Sequence, residues 1–286
     1  MREALVFGAS GQIGTPLLAR LQDAGWRVIA VSRDAHVEAH GAHWLRGDLA
    51  HVDGLPASVE AIFSCGPLDQ FAQWYAGSTI TASRVIAFGS TSIEVKSGSS
   101  DVAERDIASR LAEGEQALFA AAIAHSARAT LLRPTLVYGA GRDRTLTRVV
   151  ALAARSGWFV LPRNACGLRQ PVHVDDLAAA ALLACDATAA HGQIYALPGG
   201  ETLTYRDMIM RTLDVLQPRP RLVEVPPWLF GTALEVARLS GYATGLGEAA
   251  IARMRSDLVF DATPAQRDFG YAPRLFHPDA KMFSPR

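Results

Sequence analysis

This chain of 286 residues is poor in cysteine, nearly free of lysine and without net charge. Its three cysteines, Cys65, Cys166 and Cys185, stand far apart with no Cys-x-x-Cys spacing, which argues against a disulfide framework and a structural zinc site. Lysine occurs only at Lys96 and Lys281, so chemistry that needs a side-chain ammonium has two candidates. The 28 lysines and arginines are matched by 28 aspartates and glutamates, which leaves no overall basic field to hold nucleic acid or anionic lipid. No apolar run approaches the about 20 residues that a membrane helix needs. The opening Met-Arg-Glu enters a strand pattern directly, with no export leader, so a cytoplasmic, reducing location is expected.

What is present points to one class of fold. Hydrophobic residues make up 49% of the chain and charged residues 20%, enough to bury a large core. Short apolar or β-branched runs alternate with longer Ala/Leu/Arg segments of helical period, the pattern of βαβ units. Strands are predicted at Ala4 to Phe7, Arg27 to Val31, His43 to Leu45, Ala61 to Ser64, Arg84 to Phe88 and Thr130 to Arg133, with helices at Thr15 to Ala24, roughly Asp69 to Ala76, and Ala103 to His125. Further helices are predicted at Arg144 to Ser156, Asp175 to Ala189, Tyr205 to Leu216 and Pro227 to Met254. The expectation is an α/β protein: a Rossmann doubly wound parallel sheet with a small C-terminal α/β substrate-binding lobe. Residues 1–140 would form the nucleotide-binding domain, 170–195 would return to it, and 141–286 would supply mainly the lobe.

Gly8-Ala-Ser-Gly11-Gln-Ile-Gly14 follows the first strand and opens a helix. Glycine at the turn admits a diphosphate against the backbone, the helix N-terminus offers unpaired N–H donors and partial positive charge, and the last glycine lets helix and strand pack closely. Gly8, Ser10, Gly11, Gln12, Ile13 and Gly14 are therefore candidate cofactor contacts. About 18 to 20 positions after the last glycine, an acidic residue would accept from the ribose hydroxyls of NAD. Ser32-Arg33 stands there instead and can hydrogen-bond and pair with a 2′-phosphate, so NADP is expected before NAD, unless Arg33 is simply a solvated loop arginine.

At this point the sequence resembles the short-chain dehydrogenase/reductase superfamily, in its atypical or extended, epimerase/dehydratase-like branch. The resemblance rests on the glycine motif, Gly47-Asp48-Leu49, Cys65-Gly66-Pro67, Phe88-Gly-Ser-Thr-Ser-Ile, Leu132-Arg-Pro-Thr-Leu-Val-Tyr-Gly139, Arg169-Gln-Pro-Val-His-Val-Asp-Asp-Leu177 and Phe269-Gly-Tyr-Ala-Pro273, in that order. It implies that Asp48 receives the adenine amino group, that Leu49 packs near the ring, and that Ser64, Cys65, Gly66 and Pro67 line the adenosine. It also implies that Pro134 to Leu136 border the nicotinamide, with Arg133 at the strand end, and that Arg169 holds a substrate phosphate. Asp48 could instead cap a helix, and Arg169 could be a surface ion pair. A homodimer through the second and the Ala103 to His125 helices is a further implication.

Active members of that superfamily place a Ser or Thr after the fifth strand and a Tyr-x-x-x-Lys pair on the next helix. Thr91 fits the first role. The second has no counterpart, since no tyrosine lies between Ala76 and Val137 and the lysine in that interval, Lys96, is read in a loop. Taking Glu115 as the glutamate four residues beyond the lysine puts Ile107 and Leu111 at the two positions; taking Glu113 puts Arg105 and Ser109 there.

Three functions stay open. The first is an NADP-dependent oxidoreductase or isomerase acting on a small-molecule substrate through another proton donor, with Tyr138, Tyr75 and His173 as candidates. The second is a nucleotide-binding sensor, assembly factor or accessory subunit with an unknown protein partner, and the third a sugar-nucleotide enzyme in which Lys96 swings into the site. His173 could otherwise pack, and Tyr138 could belong to the wall between domain and lobe. His36, His40 and His43 lack completing carboxylates, so no metal is expected. Ser90-Thr91-Ser92 has no nucleophile elbow around it. Pro227-Trp-Leu-Phe reads as a packing helix of the lobe.

Overall fold

The structure is a computed structural model that describes residues 1–34, 41–143, 145–232 and 248–283. Its centre is a seven-stranded sheet built from β1 (Glu3–Phe7), β2 (Arg27–Ser32), β3 (His43–Arg46), β4 (Ser58–Ser64), β5 (Thr81–Phe88), β6 (Arg128–Pro134) and, from much later in the chain, Ile194–Leu197. The spatial order is β3, β2, β1, β4, β5, β6 and Ile194–Leu197, with every pairing parallel. The order reverses between β1 and β4, and in open α/β sheets the crevice at such a point, beyond the carboxyl ends of the strands, is where ligands bind.

The apolar character of β1 follows from burial on both faces. Successive side chains alternate, so Ala4 and Val6 enter one core while Leu5 and Phe7 enter the other, and all four are fully buried. The first core is covered by α1 (Gly14–Asp23), through Leu17, Leu18 and Leu21. The alanine-rich helix Val174–Asp186 packs beside it on the same face. The second core is covered by α2 (Leu68–Gly77) and the long α4 (Val102–Ala124), through Phe71, Tyr75, Leu118 and Ala122. Between β5 and α4 the chain forms a five-residue helix, α3 (Ser92–Lys96), where the sequence suggested only loop.

The remaining elements build a smaller layer: β7 (Val137–Tyr138), α5 (Leu146–Ser156), β8 (Trp158–Pro162), β9 (Leu168–Arg169) and β10 (Val172–His173). They are followed by α6 (the helix Val174–Asp186), β11 (the sheet strand Ile194–Leu197), β12 (Leu203–Thr204), α7 (Tyr205–Leu213) and β13 (Arg221–Val225). Three two-stranded pairings, β7 with β10, β8 with β13 and β9 with β12, hold this layer around Leu146, Leu161, Met208, Ile209 and Phe276. Of the helix predicted from Pro227 to Met254, residues 227–232 and Glu248–Arg253 are helical, and 233–247 lie outside the described residues. A last helix, Thr263–Phe269, packs on α6 and β11. No helix among the described residues is long and apolar enough to cross a membrane.

Candidate functional site

The glycine loop sits at the carboxyl end of β1, next to the point where strand order reverses. Gly8 has φ +69°, and a Cβ there would stand 3.0 Å from the Cys65 carbonyl carbon, so both conformation and clearance demand glycine. At Gly14 a Cβ would lie 2.1 Å from the Gly8 oxygen, which explains why α1 starts so tightly against the strand. The backbone ladder of α1 begins with Thr15 N–H donating to the Gly11 oxygen at 3.0 Å, and no side chain caps the helix. The amides of Gln12, Ile13 and Gly14 thus precede the ladder at the positive end of the helix. This cradle, kept open by Gly8, Gly11 and Gly14, fits the diphosphate of a dinucleotide.

The adenosine end is built by β2, β3 and β4. Ser32 is buried at the end of β2, its hydroxyl 3.0 Å from that of Ser10, and the next residue is the exposed Arg33. Asp48 accepts the amides of Ala50 and His51 at 2.9 and 3.0 Å through one carboxylate oxygen. Those bonds, with the positive charge of Arg33 nearby, hold its carboxyl below the ordinary range. Leu49 packs over Gly66, 3.6 Å from where a Cβ would stand. Cys65 continues the sheet by donating its amide to the Phe7 oxygen, and burial pushes its thiol up to about 12. Pro67 precedes α2 and accepts the Phe71 amide at 3.0 Å.

At the nicotinamide end, Thr91 is buried, and both its amide and its hydroxyl donate to the Pro134 oxygen, at 3.2 and 3.1 Å. The proton expected to meet a substrate oxygen is thus engaged with the backbone. Ser90, one residue earlier and half-buried, accepts the Ser92 amide at 3.1 Å and keeps its own proton. Arg133 donates from Nε to Glu115 Oε1 at 2.8 Å, closes a fork on the other Glu115 oxygen and reaches Glu94 at 2.9 Å. This fork fixes Glu115 against the sheet, whereas Glu113 is exposed and accepts the Ser109 hydroxyl at 2.9 Å. Counting back four and eight residues on the same helical face gives Leu111 and Ile107, both partly buried. One turn earlier stands Glu104, joined to Ser99 at 2.8 Å and to Arg253 of the helix Glu248–Arg253. Burial opposes its charge, but those partners and Lys96 outweigh it and hold the carboxyl below the usual range.

Several expected site residues are differently placed. Tyr138 is fully buried in the small layer, edge-on to His173 and Phe276 at 5.1 and 4.9 Å between ring centroids, and burial pushes its hydroxyl up to about 12. It is a packing residue and corrects the expectation of a proton donor facing the crevice. Tyr75 is likewise buried, on α2, stacked on Phe71 and His125. His173 is buried too: its Nδ1 accepts the Asp175 amide at 3.2 Å and caps α6, and burial lowers its pKa. Lys96 ends α3 instead of lying in a loop. Arg169, expected to hold a phosphate, donates to the carbonyls of Leu168 and Ser256 at 2.6 and 2.8 Å and also to that of Arg253. His43 is exposed at the start of β3, while His36 and His40 lie outside the described residues, among which no group of three metal-ligating side chains occurs. The sequence reading missed Arg142, which donates to the Ser10 carbonyl of the glycine loop at 2.6 Å.

With this geometry in hand, comparison with known proteins decides the family. Residues 4–82 and 108–197 match the model of the NAD dependent epimerase/dehydratase family. The chain belongs to that family. Among curated relatives, the 2-alkyl-3-oxoalkanoate reductase of Stenotrophomonas maltophilia (strain K279a) is 26% identical over 317 residues, covering 95% of this chain and 94% of that protein. Among solved structures, the UDP-glucuronic acid 4-epimerase from Bacillus cereus in complex with NAD superposes with a TM-score of 0.69 at 12% identity, covering 96% of this chain and 94% of that one. The UDP-glucose 4-epimerase from Thermotoga maritima with UDP-glucose gives 0.68 at 15% identity, again over 96% and 94%. At these identities the structural matches show the fold alone. This epimerase/dehydratase family member shares their overall α/β fold.

Proposed function

We propose that this chain binds NADP(H) at the glycine loop and acts as an oxidoreductase on a carbonyl substrate. The observation that carries the cofactor reading is the end of β2, where the Ser10 and Ser32 hydroxyls meet at 3.0 Å beside Arg33. Two hydroxyls and a guanidinium suit a 2′-phosphate, whereas a carboxylate directly after β2 would repel it. The curated reductase, similar over nearly the full length of both chains, supports a carbonyl substrate by its name. Bound there, the nicotinamide supplies or accepts hydride. Ser90 is the hydroxyl whose proton is available to a substrate oxygen as charge builds on it, and Thr91 holds the turn by its bond to Pro134. With Ile107 and Leu111 on the α4 face, the proton that completes reduction comes from water.

A second reading is favoured by that same aliphatic face: a nucleotide-binding sensor, assembly factor or accessory subunit without turnover. The deciding experiment is titration with NADPH and NADH, followed by fluorescence and thermal shift, on the wild type and Arg33→Ala, and then a screen of ketones and keto acids with the preferred cofactor. Tighter NADPH binding, with a preference lost in Arg33→Ala and turnover on a carbonyl, supports the oxidoreductase. Tight binding without turnover supports the sensor, and binding of neither nucleotide overturns both.

A further inference from the structure

The segment that leaves β7, residues 139–143, is held from both sides. Gly139 and Gly141 turn it with φ of +113° and +65°. The Gly141 amide then donates to the Met282 oxygen at 2.7 Å. Asp143 takes the amides of Thr145, Leu146 and Thr147 at 3.0, 2.6 and 3.1 Å, and so caps the start of α5. Arg142 stands between these anchors, and they direct it onto the glycine loop, where its Nη1 meets the Ser10 oxygen 132 residues away in sequence.

That contact uses one of the five N–H donors of the guanidinium. Among the described residues no carboxylate pairs with Arg142, and the residue is exposed. A full positive charge is thus held against the N-terminus of α1, which carries partial positive charge of its own. Two like charges brought together by an anchored loop call for an anion between them. The amides of Gln12, Ile13 and Gly14 already offer donors on the same loop.

We propose that Arg142 is a positioning residue for the cofactor diphosphate: its guanidinium, seated on the Ser10 carbonyl, turns its remaining donors to the phosphate oxygens. This rests on the reading that the glycine loop holds a nicotinamide dinucleotide. Arginine suits the role because its planar fork matches two phosphate oxygens at once. The same loop opens the small layer at α5, so one residue ties the cofactor seat to that layer.

The test uses the full chain, with Arg142→Ala and Arg142→Lys checked for unchanged melting temperature. NADPH, NADH and ADP-ribose carry the diphosphate; adenosine, used as a competitor, does not. Arg142→Ala is expected to weaken all three diphosphate ligands by about tenfold or more, the loss of a charge-assisted hydrogen bond. Adenosine competition should stay within about twofold, and Arg142→Lys should restore part of the loss. Equal NADPH affinity in wild type and Arg142→Ala overturns the assignment while leaving the cofactor reading intact. An equal loss for adenosine overturns it as well, by making Arg142 a support of the loop. A wild type that binds none of the three diphosphate ligands defeats the cofactor reading and this inference with it.

Discussion

Replacing Arg169 with methionine separates two roles for this arginine. Its guanidinium donates to the backbone carbonyls of Leu168, Ser256 and Arg253, and lies 5.3 Å over the Tyr205 ring. The Arg253 carbonyl ends the helix Glu248–Arg253, where partial negative charge gathers, and the Ser256 carbonyl lies three residues beyond it. Methionine fills similar space but donates nothing. Each of the three lost hydrogen bonds costs about 1 kcal/mol net, although the Leu168 and Arg253 carbonyls keep a backbone amide, and the lost cation–π contact adds about 0.5 kcal/mol. The burial cost of the charge disappears with it, so the net destabilisation is about 3 kcal/mol. For a chain of this length the unfolding entropy is roughly 0.6 kcal/mol/K, which converts that loss into a fall in melting temperature of about 5 °C. Thermal unfolding followed by circular dichroism reads it directly. Arg169→Lys should recover little, because a single ammonium does not span three carbonyls. If Arg169→Met melts within about 1 °C of the wild type and instead loses affinity for a phosphate-bearing substrate, the anchoring argument is wrong and Arg169 is a ligand residue.

Further outcomes test the hydroxyls and the buried histidine. Ser90→Ala should lower kcat about a hundredfold with melting temperature unchanged, while Thr91→Val should cost about 1 kcal/mol of stability and leave NADPH affinity intact; the reverse pattern would return Thr91 to the chemistry. His173 is neutral in the fold, because burial lowers its pKa and its Nδ1 accepts the Asp175 amide, and Arg274 adds to the lowering while Asp175 and Asp176 oppose it. The unfolded chain takes up that proton near its ordinary value of about 6.5, so this contribution to stability is complete above that pH and is lost as pH falls toward the lowered folded value. The urea midpoint should therefore drop between pH 7.5 and 5.5, and His173→Asn, which keeps a cap for α6, should flatten the slope; an undiminished slope would assign the effect to other groups.

Much of the frame was legible because its demands fall on residue type. Ala4, Leu5, Val6 and Phe7 must all be apolar in a strand covered on both faces, and Gly8 and Gly14 must be glycine where a Cβ would strike backbone. The short helix Ser92–Lys96 was not legible, since five residues give no helical period to read. Glu113 and Glu115 are the same residue two positions apart, and nothing local says which one faces the sheet; the decision comes from Arg133 on β6.

Tyr138, Arg169 and Arg142 show why site chemistry is harder to read than fold. Tyr138 and Arg169 stand at strand ends and Arg142 in the loop that follows β7, and the role of each depends on which of its donors and surfaces are already engaged by distant chain. Phe276 and His173 enclose the Tyr138 ring, and the carbonyls of Arg253 and Ser256 take up Arg169. Arg142 is the opposite case, since among the described residues it reaches the glycine loop with one bond, to Ser10, and four of its five donors are unused. Arg169 is a buried guanidinium already held by three backbone carbonyls, whereas Arg142 is an exposed cation held by one. On that contrast rests the proposal that Arg142, and not Arg169, meets the cofactor diphosphate.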